Sequence, residues 1–211
     1  MNFLYETKKH QQGYKHVIGV DEVGRGSLAG PVVAAAIVLP QVASENFKII
    51  KSAGIKDSKL LSPKQRVELS EIIRQNCLAW AVGEISSRII DKINIHNAVL
   101  RAMGIAARKI LKAVPLETNL SIAVIDGKFL IPRLNIAQQA VIGGDNKILS
   151  VAAASIIAKV YRDGLMAKLH KRFPVYQFAQ HKGYGTLHHR EMILRHGLSP
   201  IHRASFCINL I

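Results

Sequence analysis

Two adjacent carboxylates, Asp21 and Glu22, interrupt an apolar, β-branched run at residues 17–23. Such a run predicts a strand. Because side chains along a strand point alternately to its two faces, at least one carboxylate must point inward or lie at a sheet edge. A buried charge without a partner is costly, so the site needs an arginine, a proton or a metal ion. Strand interiors are depleted in both residue types, and this pair constrains the fold strongly.

The other apolar runs predict an α/β domain. A second β-rich run, at residues 32–39, follows a glycine-rich segment, which favours two neighbouring strands joined by a tight turn. We predict further strands at residues 78–85, 120–125 and 137–142, and helices that begin at Ser62 or span residues 94–112, 146–173 and 186–196. Strands with helices between them indicate a central sheet covered on both faces. Ligands of such sheets bind beyond the strand ends, so acids at those ends are the candidates for chemistry.

Two more acids follow the ends of predicted elements. Asp126 ends the apolar run at residues 120–125, and Asp145 follows a pair of glycines at the start of a predicted helix. Each has an ordinary structural interpretation, Asp126 as a turn residue before glycine and Asp145 as a helix N-cap. Combined with the acids at residues 21 and 22, they form a set of four carboxylates at element ends.

Four carboxylates suit a hard divalent cation, Mg²⁺ or Mn²⁺, which binds oxygen ligands and keeps waters for substrate oxygens. Zinc does not suit them, and the five histidines from His181 onward include an adjacent pair with no cysteine pair nearby. The chain has 29 Lys and Arg against 14 Asp and Glu, a net charge of +15. This balance favours a polyanionic partner, most simply nucleic acid, and metal ions at the acids would neutralise an approaching phosphate.

Composition and patterning exclude several classes of protein. A hydrophobic content of 49% excludes global disorder. The longest apolar stretches, residues 32–39 and 151–158, are far shorter than the ~20 residues that cross a bilayer, so we expect no membrane protein. The first residues contain no apolar run of the length that a secretory signal requires, so we expect none, and Cys77 and Cys207 are too few for a disulfide framework. We therefore expect a cytoplasmic protein with two free, structural thiols.

The segment GVDEVGRGSLAGPVVAAA, at residues 19–36, closely resembles the first signature of the type 2 ribonucleases H, the ribonuclease HII group. Further segments resemble the same family, in order, along nearly the whole chain. These are IKDSKLLSP (55–63), VIDGK (124–128), GGDNK (143–147), AAASIIAKVYRD (152–163), HKGYGT (181–186) and SPIHRASF (199–206).

The resemblance implies an α/β, ribonuclease H-like fold, in which a mixed central sheet is flanked by helices and followed by a short helical C-terminal part. We expect residues 1–211 to form one catalytic domain, whose basic segment from about residue 175 onward contacts substrate. The implied activity is endonucleolytic hydrolysis of the RNA strand of RNA–DNA hybrids and of ribonucleotides embedded in duplex DNA. The implied mechanism uses two divalent cations, Mg²⁺ or Mn²⁺, and leaves 5′-phosphate and 3′-hydroxyl ends.

The resemblance also implies a role in removing ribonucleotides from DNA. We expect a monomer, and the sequence identifies no protein that recruits it. Two departures from the family pattern stand out. Ser27 occupies a position where many relatives have proline, which predicts a less rigid loop, and Leu187 and His188 replace a Lys-Glu pair. Neither departure removes a reacting group.

The resemblance assigns roles to particular residues. The family's catalytic, metal-binding acids correspond to Asp21, Glu22, Asp126 and Asp145. Its Gly-Arg-Gly loop, which contacts 2′-hydroxyls at the RNA–DNA junction, corresponds to Gly24, Arg25 and Gly26, and its substrate-recognising tyrosine corresponds to Tyr184. Further substrate contacts are expected from Ser58, Lys59, Ser155, Lys159 and Lys182, and from Arg162 on the same predicted helical face. Taken singly, each basic residue also fits a solvated side chain, and Tyr184 an ordinary packed tyrosine.

Two alternatives remain open at this point. One keeps the fold but changes the reaction, to a metal-dependent nuclease or transferase that acts on DNA through similar acids. The other is a non-catalytic nucleic-acid-binding module, which the positive charge alone favours but which leaves the four acids unexplained.

Overall fold

The computed structural model describes residues 4–55 and 58–208. The strands are β1 (His16–Val23), β2 (Val32–Val38), β3 (Ala79–Ile85), β4 (Ser121–Asp126) and β5 (Ala137–Val141). They form a five-stranded sheet in the order β3-β2-β1-β4-β5. β2 pairs antiparallel with β1 and β3, whereas β4 pairs parallel with β1 and β5. The predicted mixed central sheet is therefore confirmed.

Helices connect and flank the strands. They are α1 (Leu4–Gln11), α2 (Glu45–Ser52), α3 (Pro63–Asn76), α4 (Ser87–Ala113), α5 (Gly144–Lys147), α6 (Leu149–Arg172), α7 (Phe178–His181), α8 (Leu187–His196) and α9 (Ala204–Cys207). Short 3-10 turns lie at Ser58–Leu60, Thr118–Leu120 and Pro174–Tyr176. None of the helices within these described residues has both the length and the apolar character needed to cross a membrane.

Local capping signals explain where two predicted helices begin. Ser62 Oγ accepts a hydrogen bond from the Gln65 N–H at 3.3 Å, and Gln65 Oε1 accepts one from the Ser62 N–H at 2.9 Å, so a capping box starts α3. Thr186 Oγ1 accepts a hydrogen bond from the His189 N–H at 3.3 Å and caps the start of α8, and Gly197, with φ 73°, follows the last residue of α8. Both starts were predicted from the sequence.

The two faces of the sheet carry separate apolar layers. Every residue of β2 is buried, and its alternate side chains contribute to opposite layers. Ala34 and Ala36 belong to the layer beneath α4, whereas Ala35 and Ile37 belong to the layer beneath α2, α3 and α6. This arrangement confirms that helices cover the sheet on both faces.

Two predicted helices differ from those in the structure. The helix predicted at residues 94–112 starts earlier, at Ser87, and Asn94 interrupts it with φ 63° and ψ 166°. Asn94 Oδ1 accepts a hydrogen bond from the Asn97 N–H at 3.1 Å, so the predicted start marks this kink. The helix predicted at residues 146–173 is divided at Ile148, whose extended backbone separates α5 from α6. α1 and α2 were not predicted.

Candidate active site

Neighbouring parallel strands bring three carboxylates to one edge of the sheet. β1 and β4 pair with Val20 opposite Ile125, so Asp21 and Glu22 on β1 lie beside Asp126 at the end of β4. Carboxylate oxygens of these three acids all lie within 4.8 Å of one another. The cluster that the sequence predicted is thus assembled by strand register.

The fourth predicted acid, Asp145, approaches this cluster from α5. It is buried, and it is not an N-cap, because Gly143 occupies that position. Its Oδ2 lies 3.0 Å from Lys59 Nζ. The adjacent Gly144 N–H donates to Asp126 Oδ1 at 2.7 Å, which ties α5 to the end of β4. The N-cap interpretation of Asp145 is therefore wrong, and the residue belongs to the same acidic edge.

Burial and mutual repulsion raise the pKa values of the three clustered carboxyl groups. The pKa of Asp21 lies well above its usual value because of burial first, and then because of the charges of Glu22 and Asp126. Burial and Asp126 also raise the pKa of Glu22, although Arg25 opposes this with its Nη1 atom 3.7 Å from Glu22 Oε1. Burial raises the pKa of Asp126, and the charge of Asp145 adds to it.

This donor set fits a hard divalent cation. The clustered groups offer only carboxylate oxygens, the ligands that Mg²⁺ and Mn²⁺ prefer. Their repulsion is the kind of cost that a bound cation relieves, because an opposite charge favours the ionised form of each acid. The acidic edge can therefore hold a metal ion.

Two buried serines support Asp21 from α6 and the turn before α3. Ser155 forms a hydrogen bond with the Asp21 side chain, and its Oγ lies 3.0 Å from Ser58 Oγ. Both serines are buried, so their hydroxyls orient a carboxylate as well as line the site. Two residues of the same sequence segment, Lys56 and Asp57, lie outside the described residues.

A buried arginine holds the Gly-Arg-Gly loop after β1. Arg203 Nη2 donates to Gly24 O at 2.7 Å, and its Nη1 donates to Arg25 O at 2.9 Å. Its Nε donates to Gly30 O at 3.1 Å. Burial lowers the pKa of Arg203 to about 9, and the charge of Arg162 contributes. Gly24 itself has φ 88°, and a Cβ there would collide with the Arg162 side chain.

Arg162, which we predicted as a substrate contact, is instead a buried structural residue. Its Nε donates to Pro31 O at 3.0 Å, its Nη1 to Lys182 O at 2.9 Å and its Nη2 to Ala29 O at 3.2 Å. The side chain has no exposed surface, so the prediction is wrong. Helical spacing places the residue on α6, but it does not reveal that later segments of the chain cover that face.

Tyr184 lies beside the Gly-Arg-Gly loop. Ser27 and Tyr184 form an isolated antiparallel bridge, and the Leu28 N–H donates to Gly183 O at 2.8 Å. The Tyr184 ring centre lies 5.8 Å from Lys159 Nζ. The tyrosine and the loop are consequently held as one surface.

Ser27, where many relatives have proline, participates in that surface. It is buried, and its N–H donates to Gly24 O at 3.4 Å. A proline has no N–H to donate. This hydrogen bond and the bridge to Tyr184 restrain the loop in place of a proline ring.

One groove, with a volume of about 560 Å³, collects the predicted residues. All of the site residues that the family resemblance assigned line it, except Lys182 and the buried Arg162. Lys182 has a left-handed backbone, φ 53°, and lines an adjoining cavity together with Tyr184 and Lys159. The structure therefore brings the carboxylates, the glycine loop, the tyrosine and most of the polar contacts into one place.

Sequence reasoning missed the buried polar residues behind this groove. Arg203 and His202 lie in the segment SPIHRASF, which contributed to the family resemblance without any role being assigned. His202 contacts His189, which in turn contacts Tyr184 O at 2.9 Å. The signal available was the adjacent pair His202 and Arg203 between apolar neighbours, but nothing in the sequence shows which distant residues they contact.

Comparison with known proteins identifies the family. The family model described as Ribonuclease HII matches residues 18–209. A curated ribonuclease HII of Acetivibrio thermocellus is 45% identical over 208 residues, which cover 99% of this chain and 76% of that protein. Among solved structures, ribonuclease H2 of Pyrococcus horikoshii has a TM-score of 0.74 and 25% identity, covering 92% of this chain and 96% of that one.

A second solved structure, the complex of PCNA with ribonuclease HII of Archaeoglobus fulgidus, has a TM-score of 0.71 and 28% identity, covering 92% of this chain and 96% of that one. The sequence matches extend over nearly the whole chain, and each of these two structural matches covers 92% of it. On the family model and the identity of its relatives, the chain belongs to the ribonuclease HII family.

Proposed function

We propose that Asp21, Glu22, Asp126 and Asp145 hold two divalent cations, Mg²⁺ or Mn²⁺, at which this ribonuclease HII hydrolyses its substrate. As a member of that family, the chain is an endoribonuclease for RNA–DNA hybrids and for ribonucleotides embedded in DNA. The observation that carries the proposed site is that carboxylate oxygens of Asp21, Glu22 and Asp126 lie within 4.8 Å of one another, in a chain with a net charge of +15.

Each acid has a distinct task in this proposal. A pair of such ions, when bound, activates water and stabilises the leaving oxygen. Asp21, Glu22 and Asp126 form the main set of ligands, and Ser155 orients Asp21 through its hydrogen bond. Asp145 completes the second site or positions the attacking water. Hydrolysis with this geometry leaves 5′-phosphate and 3′-hydroxyl ends.

Lys59 connects the acids to the substrate. Its Nζ lies 3.0 Å from Asp145 Oδ2, and its side chain is 75% exposed. A lysine at the rim of the acidic edge offers its other protons to an incoming phosphate while its charge offsets that of Asp145. We assign to Lys59, Lys159 and Lys182 contacts with the substrate backbone.

Selectivity for RNA requires contact with the 2′-hydroxyl, the group that separates RNA from DNA at a given position. Gly26 is exposed, with open space beside its backbone where a sugar can approach. Gly24 lines the same groove while it packs against Arg162, and Arg25 extends from the loop with a half-exposed side chain. The Tyr184 ring lies on the adjoining segment, where it can stack on a sugar or base. The bridge between Ser27 and Tyr184 fixes the spacing of these two recognition elements.

The remaining parts of the proposal concern the chain as a whole. We propose a single catalytic domain whose C-terminal segment, from about residue 175 onward, contributes to substrate contact through Lys182 and Tyr184. We further propose a monomer that acts in the cytoplasm, where it removes ribonucleotides from DNA.

Cleavage of a duplex with one embedded ribonucleotide tests the function. With Mg²⁺ or Mn²⁺ we expect one cut at the ribonucleotide, no cut of the all-DNA control and no cut in the presence of chelator. The Asp126→Asn variant should bind the same duplex without cutting it. Equal cleavage of both duplexes would favour a DNA nuclease of the same fold, and binding without any cleavage would favour a non-catalytic module.

A further inference from the structure

A second groove leads away from the carboxylates along α4. Glu22, Arg25 and Asp126 line a cavity that also includes Leu100 of α4. Leu100 lines the next cavity as well, so the two cavities adjoin at this residue. We call this next cavity the arginine groove. Its volume is about 610 Å³, and it is lined by Asn97, Leu100, Arg101, Arg108, Pro132 and Arg133.

Three guanidinium groups converge on the arginine groove from two elements. Arg101 and Arg108 are seven residues apart on α4, which places them on one side of the helix about 10 Å apart along its axis. A Cβ at Gly104 would lie 2.7 Å from Arg108 Nη2, so the Arg108 guanidinium lies against the helix at that glycine. Arg133 reaches the groove from the loop between β4 and β5 with φ 55°, a conformation that costs a non-glycine residue about 1 kcal/mol or more.

None of these three side chains has a carboxylate partner in the part of the chain that the structure describes. Arg101 and Arg133 are exposed, and Arg108 is half-buried. Like charges that share a concave surface repel one another, and an anion placed between them removes that cost. A guanidinium group can donate two parallel hydrogen bonds to two oxygens of one phosphate, because the spacing of its donors matches that of the oxygens.

The active-site groove also adjoins a cavity lined by cationic side chains at its other end, away from the arginine groove. Lys159, Arg66 and Tyr184 line both the active-site groove and the cavity that contains Lys182. Cationic side chains thus flank the acidic edge on both sides. A nucleic-acid strand that crosses the acids meets positive charge on both sides of them. Such flanking cations can supply the affinity for phosphate that the acids themselves cannot.

We propose that the arginine groove binds the phosphodiester backbone of the substrate duplex several nucleotides away from the cleaved linkage. This inference rests on the proposed function, because it takes the duplex as the occupant of the active-site groove. Arg101 and Arg108 contact phosphates along α4, and Arg133 closes the groove from the opposite side. The contacts carry no base readout and serve affinity alone.

The test compares two charge-matched double variants, Arg101→Gln with Arg108→Gln in the groove and Lys48→Gln with Lys51→Gln on α2, across the sheet from α4. On a duplex that extends about two helical turns on each side of one ribonucleotide, the groove variant should raise KM about tenfold. Its kcat should stay within about twofold of the original. The salt dependence of kcat/KM should lose about 0.9 in log–log slope per phosphate contact, or about 1.8 in all.

Truncated substrates locate the contact. Shortening the duplex on one side of the ribonucleotide should remove the difference between the groove variant and the original enzyme, and shortening it on the other side should not. A groove variant that behaves like the α2 variant, or that loses kcat instead of KM, overturns the inference. A thermal unfolding midpoint unchanged by the substitutions shows that the fold is intact.

The two proposals fail in different ways. An original enzyme that does not cut the one-ribonucleotide duplex refutes the proposed function whatever the variants do. An original enzyme that cuts it, together with a groove variant whose KM and salt slope are unchanged, refutes only the arginine groove.

Discussion

His189 Nε2 lies 3.0 Å from His202 Nε2, and the bonds at the outer ends of this pair determine where its protons are. The Ser199 N–H donates to His202 Nδ1 at 2.8 Å, so that nitrogen carries no proton. At the other end His189 Nδ1 lies 2.9 Å from Tyr184 O, a carbonyl that can only accept a hydrogen bond, so Nδ1 carries a proton and donates to it. His202 Nε2 must therefore donate to His189 Nε2, with both rings neutral.

This chain of hydrogen bonds predicts that His189 positions Tyr184. Replacing His189 by phenylalanine removes the donor to Tyr184 O, and we expect KM for the embedded ribonucleotide to rise about tenfold, near the cost of one buried hydrogen bond. His189→Asn keeps a donor near the Nδ1 position and should retain most of the affinity. Steady-state kinetics provides the measurement.

A double-mutant cycle separates positioning from general destabilisation. If His189 acts through the tyrosine, then His189→Phe should have little further effect on KM in a Tyr184→Ala background. Additive effects in the cycle would show that His189 has only a structural role.

The same pair predicts a loss of stability in acid. Burial is the main cause that lowers the pKa of each residue, His189 and His202, to about 4, against about 6.5 in an unfolded chain. As the pH falls from about 6.5 towards 4, the unfolded state binds protons that the folded state does not. The free energy of unfolding therefore decreases, by about 1.4 kcal/mol per pH unit for each residue within that window.

Denaturant unfolding at pH 7 and pH 5 measures this effect. The raised pKa of Asp21 acts in the opposite direction, so the informative quantity is the difference between the original protein and a His189→Asn, His202→Asn double variant. That difference should shrink at pH 5. A difference that is the same at both pH values contradicts the assignment of two neutral rings.

Arg203 predicts a large loss of stability from a conservative change. Arg203→Lys keeps the charge but loses the planar donors that reach Gly24 O and Arg25 O. Buried carbonyls without donors cost about 1–3 kcal/mol each, so the free energy of unfolding should fall by about 3 kcal/mol. Arg195→Lys, at an exposed position of α8, is the matched control and should change the free energy of unfolding little. If both substitutions lowered it equally, the hydrogen bonds of Arg203 would not be the cause of the loss.

The acidic edge predicts opposite effects of one substitution with and without metal. In chelator, Asp21→Asn removes repulsion from a buried cluster and should raise the thermal unfolding midpoint. With Mn²⁺ at about 100 times its dissociation constant, the original protein should gain about 2.7 kcal/mol, and the variant should gain much less. The exposed Glu68→Gln change should leave both responses intact, and an Asp21→Asn variant that Mn²⁺ stabilises as fully as the original would exclude Asp21 as a ligand.

Features that depend on neighbours in the chain were predictable. β-rich or apolar runs predicted β1, β2 and β4, weaker patterns predicted β3 and β5, and the sequence around Ser62 and Thr186 predicted the starts of α3 and α8. Asp21 and Glu22 were recognisable as unusual because strand interiors are depleted in carboxylates, whereas Asp126 alone also fitted an ordinary turn and was singled out by the family resemblance. These signals are local, and periodicity and capping therefore reveal them without a fold.

Only the tertiary structure decided which distant residues meet. The parallel register of β1 and β4 set the distances among the acids. The folding of the C-terminal segment over α6 buried Arg162 and brought Arg203 to the Gly-Arg-Gly loop. A sequence states which residues can donate or accept a hydrogen bond. Which partner each one finds depends on the packing of segments more than a hundred residues apart, because a buried polar group must be satisfied by whatever the fold places beside it.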